Sequence, residues 1–184
     1  MADITEIVAG RRWSYWRIAM WGAAAFLLLL PAIAMQFTNE VDWDETDFIV
    51  MGVMLFAACG TCELAARASG NGAYRIGAVV AVGVAFLTVW ANLAVGMIGS
   101  EDNHYNLLFG GVLALALIGA IVVRFEAAGM ARVMVSAAIA QAALGAGGLS
   151  SDLRGGVFST IFALPWLLSA ALYWKASREL RASR

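Results

Sequence analysis

The chain has 184 residues, 62% of them hydrophobic and 14% charged, with a formal net charge of −1. Its charges gather in short clusters between apolar runs longer than a soluble core uses, which excludes a soluble domain. No basic stripe is present to engage a nucleic acid, and two cysteines inside one apolar run do not make a disulfide framework.

About 20 apolar residues at about 1.5 Å rise cross the hydrocarbon of a bilayer. On that measure the chain reads as an all-α polytopic membrane protein of one domain, with about six spans. The first covers about 18–37 (IAMWGAAAFLLLLPAIAMQF). Arg11 and Arg12 precede it, and Ala32-Ile33-Ala34 has the small-x-small form of a signal cleavage site. Asp3 and Glu6 spoil a positive leader, and the run exceeds the about 7–15 residues of a signal core, so a retained span is expected.

An acidic loop follows, with Glu40, Asp42, Asp44, Glu45 and Asp47. Asp42-x-Asp44 has the alternation that opens a calcium loop, without its glycine or distal glutamate. The second span, about 48–66, carries Cys59-Gly60-Thr61-Cys62 and Glu63. A CxxC pair can be redox-active, but mid-helix sulfurs lack the helix N-terminus that favours thiolate, which suits buried packing residues better. Glu63 is a carboxylate in an apolar run, a functional candidate by default; Arg67 at i+4 offers it an interfacial ion pair.

The third span, about 76–98, contains Thr88, Trp90 and Asn92 and leads into Glu101, Asp102 and the lone His104. Oxygen ligands there suit Ca²⁺ or Mg²⁺, and an imidazole shifts the preference toward Zn²⁺ or Mn²⁺. Glu101, Asp102, His104, Asp42 and Asp44 are thus candidate ligands for a divalent cation at one face, against the plainer reading of a solvated acidic surface. The fourth span covers about 107–123. The fifth, about 133–149, is the weakest, rich in alanine and glycine and containing Gln141. The sixth, about 156–174, carries Ser159, Thr160, Pro165 and Trp166. Amides in hydrocarbon need partners, so an interhelical Asn92–Gln141 bond is expected. The rival is a polar solute path past Asn92 and Gln141, constricted by Trp90 and Trp166.

Short connections make consecutive helices antiparallel neighbours, giving three hairpins. Arg11, Arg12, Arg17, Arg67, Arg75, Arg124, Arg132, Lys175, Arg178, Arg181 and Arg184 fall on one side, with Arg154 the exception among 12 basic residues. The positive-inside rule then places both termini in the cytoplasm. Aromatic belts agree: Trp13, Tyr15, Trp16, Tyr74, Tyr173 and Trp174 on that side, Phe37, Trp43, Phe48, Tyr105 and Phe109 on the other. An offset of 59 residues pairs Met51-Gly52-Val53 with Gly110-Gly111-Val112 and superposes the acidic segment 40–47 on 99–106. Tandem hairpin repeats over 18–75, 76–132 and 133–184 are one reading of that pattern.

The segment 90–103, WANLAVGMIGSEDN, resembles small polytopic bacterial inner-membrane proteins of uncharacterised function. The resemblance covers one helix and its loop; it implies an inner-membrane location and no activity. No phosphate loop, Ser/His/Asp set or paired histidines call for a cofactor or a catalytic role. Gly77, Ala81 and Ala85 on the third span, and Gly111 and Gly119 on the fourth, give small faces for close helix packing. The leading expectation is a non-enzymatic inner-membrane protein, a homo-oligomer or a subunit docked on a partner membrane protein. A small channel or transporter for a cation or neutral solute is the alternative, and a thiol-redox protein using Cys59 and Cys62 the third.

Overall fold

The computed structural model describes the backbone of residues 4–183 and the side chains of residues 15–183. Asp3 and Arg184, and the side chains of Glu6, Arg11, Arg12 and Trp13, lie outside the described residues. The chain is all-helical: α1 (Ile4–Ala34), α2 (Glu45–Ala68), α3 (Gly72–Ala94), a 3₁₀ turn (His104–Asn106), α4 (Leu107–Val122), α5 (Ala127–Gly148), α6 (Leu153–Ile161) and α7 (Ala163–Ala182). Six helical stretches among the described residues are long and apolar enough to cross a membrane, with α6 and α7 together forming the sixth. This is an integral membrane protein.

The helices divide into two compact units, Met1–Leu64 and Ala65–Arg184, with the boundary inside α2. In the first unit, α1 and α2 meet through long side chains. Arg17 reaches Glu63 at 3.0 Å, the Trp21 ring stacks at a tilt on Phe56 at 5.5 Å, and Leu28 approaches Gly52. Position rises along one helix as it falls along the other, the signature of antiparallel neighbours. The start of α2 is set locally. The Asp44 carboxylate accepts from the Asp47 N–H at 2.9 Å, and Asp47 returns the bond to the Asp44 N–H at 3.1 Å. Trp43 packs edge-on against Phe48 at 5.3 Å, stapling the residue before the cap to the first turn.

The second unit is built around α5. More than half of its span is buried, with Ala131, Met134, Ala137, Ala138, Gln141 and Gly145 recurring at helical spacing. It packs most extensively against α7, then α6, then α4, while α3 leans mainly on α7. Small residues make this closeness possible. A Cβ on Gly119 would press into Val133 at 2.8 Å, and one on Gly77 would touch Leu172 at 3.3 Å. Van der Waals contact through such notches is the main attraction available between helices in lipid. The Ser169 hydroxyl adds a bond to the Gly77 carbonyl at 2.8 Å, joining α7 to α3.

Two breaks in the helices have local causes. Pro165 lacks an N–H, and its ring crowds the carbonyl four residues back, at Ile161; α6 ends there and α7 restarts at Ala163. The third helix stops at Ala94, four residues short of the expected end at 98, because Gly96 turns the chain at φ 74°. A side chain on Gly96 would be both strained and only 2.5 Å from the Ser100 carbonyl oxygen.

The ends of the second unit differ in charge. The Tyr74 hydroxyl donates to the Phe125 carbonyl at 2.9 Å, Tyr74 meets the Tyr173 ring edge-on at 5.0 Å, and the Asn71 amide donates to Glu179 at 2.7 Å. These contacts gather the α2–α3 turn, the α4–α5 turn and the end of α7, and with them Arg75, Arg124, Lys175 and Arg178. The opposite end holds Glu101, Asp102 and Asp152 together with Arg154.

Candidate binding cleft

The connector 95–106 is apolar at its start and acidic at its middle, a composition that leaves its place unclear from sequence. In the structure it is folded inward at both ends. Met97 and Ile98 are 1% and 0% exposed and cluster with Ala91 and Phe109. Buried loop backbone must find partners, and Asn106 supplies them. Its Oδ1 accepts from the N–H groups of Met97 (3.2 Å) and Ile98 (2.8 Å), and its Nδ2 donates to the carbonyls of Ile98 and Ser100. Asn103 repeats the device, accepting from the Tyr105 N–H and donating to the Ile98 carbonyl.

Distant helices then clamp this folded connector. Ser159 on α6 donates its hydroxyl to the Met97 carbonyl at 3.1 Å, and the Tyr105 hydroxyl donates to the Leu144 carbonyl on α5 at 2.8 Å. Asp152 caps α6 by accepting from the Arg154 and Gly155 N–H groups, both at 3.0 Å, while its other oxygen accepts from the Gly99 N–H at 2.9 Å. The Gly155 bond first, then the Gly99 bond, hold the Asp152 carboxyl below the usual carboxylate range.

Beside the clamped connector a cleft opens between the end of α3 and the start of α4. These helices touch each other only thinly, because α3 is drawn to α7 and α4 to α5. The cleft has a volume of about 380 Å³. Its walls are Val89 and Leu93 on one side, Leu107, Gly110 and Leu113 on the other. Asn92, Glu101, Asp102, Asn103, His104 and Asn106 complete its lining. Glu101, Asp102 and His104 are exposed. Asn92 bonds back to its own helix, donating to the Thr88 carbonyl at 2.8 Å, and its Oδ1 is buried without a partner among the described residues.

Four residues singled out from the sequence therefore share one site: Asn92, Glu101, Asp102 and His104. Others do not join it. Trp90 is 44% exposed and is not part of the cleft lining, so it constricts nothing there, whereas Trp166 is a core residue at 1% exposure. The expected Asn92–Gln141 bond is not made. Gln141 is fully buried and donates to the Ser159 carbonyl at 3.2 Å, which joins α5 to α6 instead. Helical direction explains the miss: Asn92 faces the α4 side of α3, while Gln141 faces α6. Thr88 and Thr160 also turn to their own helices, bonding the Val84 and Gly156 carbonyls.

In the first unit, Asp44 is engaged in capping α2, and Asp42 is exposed in the preceding loop. Among the described residues no three His, Cys, Asp or Glu side chains gather into a set able to hold a metal ion. Glu63 is buried and pairs with Arg17, a partner from α1 beyond the neighbouring Arg67; Trp21 Nε1 lies 3.4 Å from its other oxygen. Cys59 and Cys62, one turn apart on α2, are buried free thiols.

Sequence reasoning missed the organising role of Asn106, the inward fold of Met97 and Ile98, and the reach of Asp152. Asparagine after a Gly-x-x-Gly stretch was a usable signal, since Asn side chains bond the backbone of nearby turns. Compared with protein-family models, curated proteins and solved structures, the chain matches none.

Proposed function

We propose that this chain is a non-enzymatic membrane protein that works by assembly, as a homo-oligomer or as a subunit on a partner membrane protein. The observation that carries this reading is the division of its glycines. Gly77 and Gly119 are taken up in packing within the second unit, whereas a Cβ on Gly83 of α3 or Gly111 of α4 would meet nothing within 4 Å among the described residues. Each of these two sits in an outward apolar stripe: Val79, Leu87 and Trp90 around Gly83, and Leu115, Ile118 and Val122 around Gly111. Notches of this kind let a second helix approach closely in lipid. An inner membrane with both termini cytoplasmic completes the reading, supported by the gathering of basic residues at one end of the second unit.

The test is the mass of the purified protein in mild detergent, measured by light scattering. A stable multimer or complex that Gly83→Leu or Gly111→Leu disperses is expected; a monomer under every condition removes the proposal. The cleft favours a second reading, entry of a cation or small neutral solute at the acidic end. Flux into proteoliposomes that falls when Asn92→Ala or Glu101→Ala is introduced would support it, and flux indifferent to both would end it.

A further inference from the structure

The cleft between α3 and α4 combines features that do not follow from packing needs. It lies between two apolar spans, yet its mouth carries two carboxylates, Glu101 and Asp102, with His104 beside them, and among the described residues no lysine or arginine lines it. Below that mouth the walls are Val89, Leu93, Leu107 and Leu113, and Gly110 leaves open space where a side chain would stand. An apolar recess under an acidic rim is complementary to one kind of molecule, with an apolar body and a cationic head. Its volume of about 380 Å³ lies at the small end of ligand sites, which run about 300–1,000 Å³. That size suits one alkyl chain better than the two of a phospholipid.

We propose that the α3–α4 cleft is a binding site for a single-chain amphiphilic amine, its chain between Leu93 and Leu107 and its ammonium group at Glu101 and Asp102. The connector 95–106 is what makes such a site durable. Asn106, Tyr105 and Asp152 fix the loop that carries both carboxylates, so the rim is built before the ligand arrives and little ordering cost falls on binding. This holds whether or not the chain forms an oligomer, and it gives the cleft an occupant rather than a through-path.

The test uses the full chain in a short-chain maltoside, with native mass spectrometry counting bound decylammonium, decylsulfonate and phosphatidylethanolamine. One saturable decylammonium per chain is expected, held about ten-fold more tightly than decylsulfonate. E101Q/D102N should bring the two probes to near equality, because both positions are exposed and the change removes charge only. Gly110→Leu should fill the recess and abolish binding of either probe, with thermal unfolding confirming that both variants remain folded. Equal binding of amine and sulfonate, a preference that survives E101Q/D102N, or binding intact in Gly110→Leu overturns the site. Tighter retention of phosphatidylethanolamine than of decylammonium overturns the single-chain assignment.

Discussion

Two acidic loops of similar composition lead into α2 and α4, and they use their polar residues in opposite ways. The loop before α2 spends them within a few residues of sequence. Asp44 and Asp47 close a reciprocal cap, Thr38 accepts from the Glu40 N–H, and Trp43 staples Phe48. The loop before α4 spends Asn103 and Asn106 on its own buried backbone and Tyr105 on the Leu144 carbonyl, 39 residues away, while its Gly99 N–H is taken by the Asp152 carboxylate, 53 residues away. Acidic composition is thus no guide to role. What separates the loops is the apolar lead Met97-Ile98, which can be buried only if Asn106 satisfies the backbone it takes inside.

The contrast can be broken at its strongest point. Asn106→Leu leaves the buried N–H groups of Met97 and Ile98 without their acceptor, and destabilisation on the order of 3 kcal/mol is expected. Thermal or denaturant unfolding of the purified protein measures it; a change under about 0.5 kcal/mol would mean the connector is not held as described. A smaller effect belongs to the other loop. Asp44→Ala removes a helix cap, costs about 1 kcal/mol, and should raise amide hydrogen exchange only in the first turn of α2. Exchange spreading beyond that turn would contradict a purely local role.

The smallest effect sharpens the comparison through pH. The Asp152 carboxyl is held below its ordinary value by the Gly155 and Gly99 N–H groups. Its stabilising contribution is therefore complete above the ordinary carboxylate range and is lost as pH falls through the depressed folded value. Exchange at Gly99 and Gly155 should rise together on acidification, and Asp152→Asn should flatten that dependence. Independent titration of the two amides would show that one carboxylate does not bridge them.

Much of the architecture was legible because span length is a property of composition. The six spans follow from apolar runs, and the residues near 100 were marked as a site by their charge. What was not legible depended on direction and distance. Val95-Gly96-Met97-Ile98 reads as more apolar helix, and only the folded partner shows why it leaves α3. Glu63 has a basic neighbour in sequence, and only the fold brings Arg17 of another helix to it, at 3.0 Å. The weak fifth span is the plainest case. Its expected start at 133 is six residues late, because Arg132 reads as loop although it lies exposed on the helix, its Nε donating to the Ala128 carbonyl. Its alanines and glycines look indifferent to lipid because they touch other helices.

That central position has a consequence for how the protein is made. The least apolar of the six spans is also the most buried, so α5 has the weakest claim on the bilayer before its neighbours are present. The turn that joins it to α4 holds Arg124 and Phe125 at positive φ, 54° and 58°, and Gly129 lies so close that a Cβ there would fall 2.5 Å from Val123. So tight a connection holds α4 and α5 side by side, a strongly apolar arm next to the reluctant one. Insertion of the second unit by hairpins rather than by single helices is the expected consequence, with α7, which packs most extensively on α5, sealing it from lipid.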